Sequence, residues 1–137
     1  MDDIRPWFLL KSVPGVGNLL AKRLLDLFES PQNIFQASAE KLLQVEGVTK
    51  RHVAALKNHK MPGKVTAELD LLARKKYRIT TQADPDYPRL LREIPDPPPF
   101  LYVSGRLNNS ALKIAVVGSR NATEYGLTTT KNLCAGL

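Results

Sequence analysis

Val13-Pro14-Gly15-Val16-Gly17-Asn18-Leu19-Leu20-Ala21-Lys22-Arg23-Leu24 is the stretch on which the fold of this chain turns. Two glycines flank one apolar residue, and an alanine stands at the fourth position after the second glycine. Upstream, Ile4, Trp7, Phe8 and Lys11 suggest a short first helix. Downstream, Leu19, Leu20, Arg23, Leu24 and Leu27 recur at helical spacing. The chain must reverse tightly between the two helices, and residues without a Cβ suit that reversal. The same bareness lets a phosphate approach the backbone. The second helix then offers that phosphate its free N–H groups and the positive end of its dipole. Ala21 is small where the helices cross, and Val16 points into the hairpin core. Lys22 and Arg23 lie one turn in, where at least one can reach an adjacent phosphate.

This helix-hairpin-helix pattern recurs. Val45-Glu46-Gly47-Val48-Thr49-Lys50-Arg51-His52-Val53-Ala54-Ala55-Leu56 aligns with it without a gap, at an offset of 32 residues. Gly47 matches Gly15, Val48 matches Val16, Val53 matches Ala21 and Leu56 matches Leu24. A repeat at this spacing predicts two hairpins packed as a pseudo-symmetric unit, able to grip two stretches of nucleic-acid backbone. The second copy is the weaker binder. Thr49 replaces Gly17 and brings a Cβ to the turn, and Glu46 puts a negative charge at the would-be phosphate site, which Lys50 and Arg51 partly offset. Such units also serve purely as packing modules, so residues 1–75 read alternatively as a structural or protein-interaction module. Phosphate contacts position a protein without specifying bases, so no sequence-specific reading is expected. His52 and His59 lack the partner spacing of a metal site and read as ordinary helix residues.

The rest of the first half is also helical. Ser30-Pro31 is a helix start, with the serine as cap and the proline in the first turn. Ser38 caps a helix through Leu43, and Thr49 caps another through Val53 and Leu56. After Met61-Pro62-Gly63, a last helix carries Val65, Leu69, Leu72 and Ala73 on one face and ends in Arg74-Lys75-Lys76, where cations complement the dipole. Ile79-Thr80-Thr81 and Phe100-Leu101-Tyr102-Val103 read as short strands. Between them lie the turn cluster Asp84-Pro85-Asp86-Tyr87-Pro88 and the stiff Pro95-Asp96-Pro97-Pro98-Pro99. Ile114-Ala115-Val116-Val117 then forms an apolar run that Gly118-Ser119 breaks, and a helix begins near Ala122.

That last unit reads as the start of a Rossmann-like fold: a buried strand, a Gly-Ser turn and a helix whose N-terminus can hold phosphate. Gly118 makes the turn, Ser119 offers a hydrogen bond, and Arg120 is placed to clamp a phosphate. A G-x-G-x-x-G fingerprint is absent. One strand and one helix cannot bury both faces of the strand, so the sequence reads as cut off.

The formal net charge of +7 points toward a polyanion, most often nucleic acid. The charge is spread along the chain, so binding must come from folded geometry. Cys134 is the single cysteine, which rules out an intrachain disulfide and argues against a cysteine-based zinc site. No stretch approaches a membrane span, and the N-terminus has no apolar signal region. A cytoplasmic location is therefore expected, with no catalytic residue, metal or cofactor.

Asp86-Tyr87-Pro88-Arg89-Leu90-Leu91, Pro97-Pro98-Pro99-Phe100-Leu101-Tyr102-Val103-Ser104-Gly105, and Val116-Val117-Gly118-Ser119-Arg120 with Tyr125-Gly126 follow one another after the helical region. In that order they resemble the DNA processing protein A family, also called DprA or Smf, over nearly the whole chain. The resemblance implies cooperative binding of single-stranded DNA, protection of incoming DNA in natural transformation, loading of RecA recombinase, and dimerisation through the Rossmann-like domain. It places Arg120 in the DNA-binding pocket. The family's Rossmann-like domain runs far past Leu137.

The expected fold is thus an α-helical tandem helix-hairpin-helix (SAM-like) domain over residues 1–76, a proline-rich structured connector over 77–110, and the truncated start of an α/β Rossmann-like domain over 111–137. The expected function is non-enzymatic DNA binding assisting RecA-dependent recombination. The expected DNA- or phosphate-binding residues are Gly15, Val16, Gly17, Lys22, Arg23, Gly118, Ser119 and Arg120. An alternative assigns the Rossmann-like part to a nucleotide-phosphate hydrolase, which would need a downstream glycine-rich loop and a carboxylate that this chain lacks.

Overall fold

A computed structural model of the chain describes residues 3–107 and 114–136. Six helices come first: α1 (Arg5–Ser12), α2 (Asn18–Phe28), α3 (Pro31–Gln36), α4 (Ala39–Leu43), α5 (Lys50–Asn58) and α6 (Gly63–Arg74). They are followed by β1 (Arg78–Thr81), the single turn α7 (Arg89–Arg92), β2 (Phe100–Val103) and α8 (Glu124–Ala135).

The helix boundaries follow from local chemistry. Ser30, Ser38 and Thr49 accept hydrogen bonds from the backbone N–H groups of Asn33, Lys41 and His52, satisfying donors that a helix start leaves open. Glu29 closes α2 in the left-handed region, its N–H donating to the Leu25 carbonyl. Lys57 donates from Nζ to the carbonyls of Phe35 and Ala37, tying α5 to the end of α3.

The repeat seen in the sequence is a repeat in space. Leu10, Val13, Val16, Ala21 and Leu24 are buried, and so are Leu42, Val45, Val48, Val53 and Leu56, their counterparts 32 residues on. The two sets meet in one apolar core with Trp7, Phe8, Leu20, Leu25 and Ile34. Val65 and Leu72 of α6 join the same core.

β1 and β2 pair antiparallel, with Arg78 opposite Val103 and Thr81 opposite Phe100. Side chains alternate across a strand, so Phe100 and Tyr102 share one face. That face meets α1: the Phe8 and Phe100 rings lie 4.6 Å apart, and the Lys11 ammonium sits 4.7 Å from the Phe100 centroid. Residues 78–103 are therefore seated on the helical core rather than merely connecting two parts. Elsewhere, Tyr87 is buried and its hydroxyl donates to the Pro98 carbonyl at 2.7 Å. Gln82 Nε2 donates to the carbonyls of Pro97 and Pro98, so the proline segment is fixed by hydrogen bonds to its carbonyls, the only backbone group a proline can offer. Asp84 Oδ2 accepts from the Thr81 N–H and hydroxyl, closing the turn after β1. Tyr102 hydrogen-bonds Glu68 of α6, and burial, reinforced by that carboxylate, raises its phenol pKa.

One expected element differs. Ile114–Val117, read as a buried strand, forms no strand and pairs with nothing among the described residues, and Val117 is 90% exposed. An apolar run becomes a strand only where a neighbour supplies ladder hydrogen bonds and cover, and no described element does so. α8 forms where expected, capped by Thr123, but buries none of its residues. The expected boundary near residues 110 and 111 lies outside the described residues.

Phe100→Ala removes the ring that joins the β1–β2 hairpin to α1. It is expected to cost about 3–5 kcal/mol, with the loss appearing in one cooperative transition shared by helical and tyrosine signals. A change confined to the tyrosine signal on urea unfolding would contradict the shared core.

Candidate nucleic-acid interface

The two hairpin turns have the same construction. The Val16 N–H donates to the Val13 carbonyl at 3.1 Å, and the Val48 N–H to the Val45 carbonyl at 3.0 Å. Gly15 and Gly47 occupy the third position of these turns with φ of +86° and +87°. That is the type II turn, whose third residue must enter the left-handed region that glycine alone adopts freely.

Both turns end at a helix start, and there they diverge. α2 begins after Gly17, with no side chain capping it. A helix start leaves its first N–H groups without intrahelical partners. Nothing lies within 4 Å of the position a Cβ on Gly17 would take. Gly15 and Gly17 are exposed and Val16 is buried beneath them, so the turn and the helix start are open to solvent. α5 begins after Thr49, and here two of the donors are occupied. The Thr49 hydroxyl accepts from the His52 N–H, and the Thr49 N–H donates to His52 Nδ1 at 3.2 Å. Threonine and histidine thus form a reciprocal capping box, with histidine in the place usually held by Glu or Gln. The start of α2 is left open to solvent; the start of α5 is capped from within.

The hairpins also reach across to each other. A Cβ on Gly15 would lie 3.1 Å from both Cδ2 and Nε2 of His52. A Cβ on Gly47 would lie 3.1 Å from Nη1 of Arg23 and 3.7 Å from Leu20 Cδ1. Leu20 and His52 are equivalent positions of the repeat, so each hairpin lays the same helix position over the other's turn glycine. Arg23 Nη1 donates to the Glu46 carbonyl at 3.0 Å, and Nη2 stands 3.4 Å from its carboxylate.

The expected residues are therefore partly redistributed. Gly15, Val16 and Gly17 stand together at the first turn as expected. Lys22 lies on α2 beside Asp26 and forms an i,i+4 ion pair with it, a contact of about 0.3–0.5 kcal/mol on an exposed helix face. Arg23 does not extend from the first turn; it crosses to the second, where it neutralises Glu46. Gly118, Ser119 and Arg120 lie in an exposed irregular stretch, with Ser119 Oγ accepting from the Asn121 N–H and nothing near Gly118. The helix expected near Ala122 follows them from Glu124, after the Thr123 cap. His52, read from the sequence as an ordinary helix residue, is the residue that was missed. Its signal was present as Thr49-x-x-His52, a capping-box spacing with an unusual third member.

Comparison with known proteins places two regions. Residues 8–59 match the model of the SAM-like helix-hairpin-helix tandem, and residues 78–137 that of DNA recombination-mediator protein A. Protein Smf of Synechocystis is 34% identical over 145 aligned residues, covering 96% of this chain and 34% of that protein. The chain thus spans about a third of that relative's length. A Methanocaldococcus jannaschii protein provisionally named an ATP-dependent RNA helicase is 42% identical over 50 residues, 36% of this chain and 6% of that protein. UvrABC system protein C of Chlamydia trachomatis serovar D is 42% identical over 43 residues, 31% of this chain and 7% of that protein. No solved structure matches the chain. Among the described residues, no helix is long and apolar enough to cross a membrane.

Gly15→Ala forces a Cβ into the left-handed region and against the His52 ring. It is expected to lower stability by about 1–2 kcal/mol in urea unfolding. Thr49→Ala, which removes one half of the capping box, is expected to cost about 1 kcal/mol. A Gly15→Ala protein as stable as the parent would show that the turn does not need its left-handed residue.

Proposed function

The chain belongs to the DNA processing protein A (DprA, Smf) family, and from that premise we infer that its tandem hairpins bind DNA through the phosphate backbone, the first hairpin making the principal contact. The observation that carries this reading is the uncapped start of α2 behind Gly15 and Gly17, open to solvent and free of any side chain that would block a phosphate. Backbone N–H groups and the helix dipole supply the attraction, and the positive charge of the whole chain draws the polyanion in. Contacts of this kind carry no base identity, so the binding is indifferent to sequence. The second hairpin, with the Thr49 and His52 N–H groups at the start of α5 already used by its capping box, serves chiefly to hold the first in place.

The family resemblance extends the reading to single-stranded DNA as the substrate and to assistance of RecA-dependent recombination, in a protein that carries out no chemical step. Gly118, Ser119 and Arg120 belong to this reading as the phosphate-binding turn of a Rossmann-like unit opening near residue 111. Dimerisation, also implied by the family, would draw on that unit. A cytoplasmic location follows from the same reading, since recombination takes place on intracellular DNA.

Gly17→Asp separates binding from folding. Gly17 has extended backbone and open space around it, so aspartate fits, and as a helix cap it is favoured over glycine by a few tenths of a kcal/mol. Its carboxylate would stand where the phosphate binds. The expected result is an unchanged or slightly raised melting temperature with DNA affinity reduced by about tenfold or more at low salt, read by fluorescence anisotropy with labelled single-stranded and duplex oligonucleotides. Undiminished binding by Gly17→Asp would remove the first hairpin from the interface.

A further inference from the structure

The geometry points to a composite DNA-binding surface in which each hairpin supplies a phosphate-contacting side chain at the other's turn: His52 at the Gly15 turn and Arg23 at the Gly47 turn. This rests on the reading that the hairpins bind DNA. It goes further by assigning Arg23 to the second turn and by adding His52, which reads from the sequence as an ordinary helix residue.

For His52 the argument begins with its ring nitrogens. The Thr49 N–H donates to Nδ1, so in the neutral ring Nδ1 is the acceptor and Nε2 carries the hydrogen. The capping box thereby fixes both the tautomer and the ring's direction, and Nε2 comes to lie over the exposed Gly15 turn. A phosphate at the start of α2 would meet an N–H donor arriving from the other hairpin. At the second turn the Thr49 and His52 N–H groups are occupied, so fewer backbone donors face a phosphate there and a side chain has more to supply. Arg23 is the cation at that place, its Nη1 3.1 Å from where a Gly47 Cβ would be. Its bonds to the Glu46 carbonyl and carboxylate leave guanidinium donors over, since arginine has five. The ion pair is weak competition for a phosphate, because the Arg23 and Glu46 side chains are 33% and 83% exposed. The repeat explains why each hairpin reaches the other's turn: Leu20 and His52 are counterparts that lie beside Gly47 and Gly15, with Arg23 one turn beyond Leu20 on the same helix face.

The test uses the chain with a labelled mixed-sequence oligonucleotide over a salt series, with a thermal melt for each variant. His52→Glu keeps the capping box, since Glu is its usual third member. It is expected to keep the melting temperature and lose affinity by about tenfold, whereas His52→Gln, capped and neutral, stays within about twofold of the parent. Arg23→Gln is expected to flatten the slope of log affinity against log salt by about one, the mark of one lost phosphate contact. A purely structural role for Arg23 would leave that slope unchanged. If Arg23→Gln does not fold, the His52 pair decides alone. Folded His52→Glu or Arg23→Gln binding like the parent, with Gly17→Asp defective, would overturn the composite surface while leaving the first hairpin as the site. Parental binding by Gly17→Asp as well would overturn the DNA-binding reading on which it rests.

Discussion

Everything in the helical region depends on two glycines held at φ near +86°, Gly15 and Gly47. Each closes a turn that reverses the chain over a few residues. Each also leaves a gap where a Cβ would stand, and a side chain of the opposite hairpin occupies the edge of that gap: the His52 ring at Gly15, Leu20 and Arg23 at Gly47. The turns are therefore both the sharpest local features of the chain and the places where its two halves meet. A bulkier residue at either position would strain the local backbone and push the hairpins apart together.

From that constraint the division of labour follows. The two turns share hydrogen bonds, buried valines and flanking leucines, so the core sees them as equivalent. They differ at the helix start, where Thr49 and His52 stand in place of Gly17 and Leu20. Gly17 leaves the start of α2 without a side-chain cap; Thr49 and His52 cap that of α5. Two positions thus leave the helix start of one copy open and cap that of the other. Arg23 reinforces the difference by neutralising Glu46, which would otherwise leave a bare carboxylate beside the second turn.

The helices were legible in the sequence because their signals are local. Ser30, Ser38 and Thr49 announced helix starts, and the repeat at 32 residues announced the paired hairpins. What spacing could not reveal is contact between residues far apart in the chain. Arg23 looked like a free phosphate ligand because its partner, Glu46, belongs to the other hairpin. His52 looked ordinary because its role depends on Thr49 before it and on Gly15 far upstream. Phe100 lay in a segment read as a connector, and only its stacking on Phe8 shows that the segment is seated on the helical core. Ile114–Val117 had the composition of a buried strand, but composition cannot supply the neighbouring strand that such a run requires. The family motifs, by contrast, were recognisable from residue order alone.

The central claim is that DNA phosphate meets the backbone at the start of α2. Amide resonances followed during titration with a single-stranded oligonucleotide test it most directly. The account predicts that the amides of Asn18, Leu19 and Leu20 move first and furthest, accompanied by the His52 ring, while those of Lys50 and Arg51 move less. Shifts confined to the start of α5, or none in either hairpin at low salt, would contradict it.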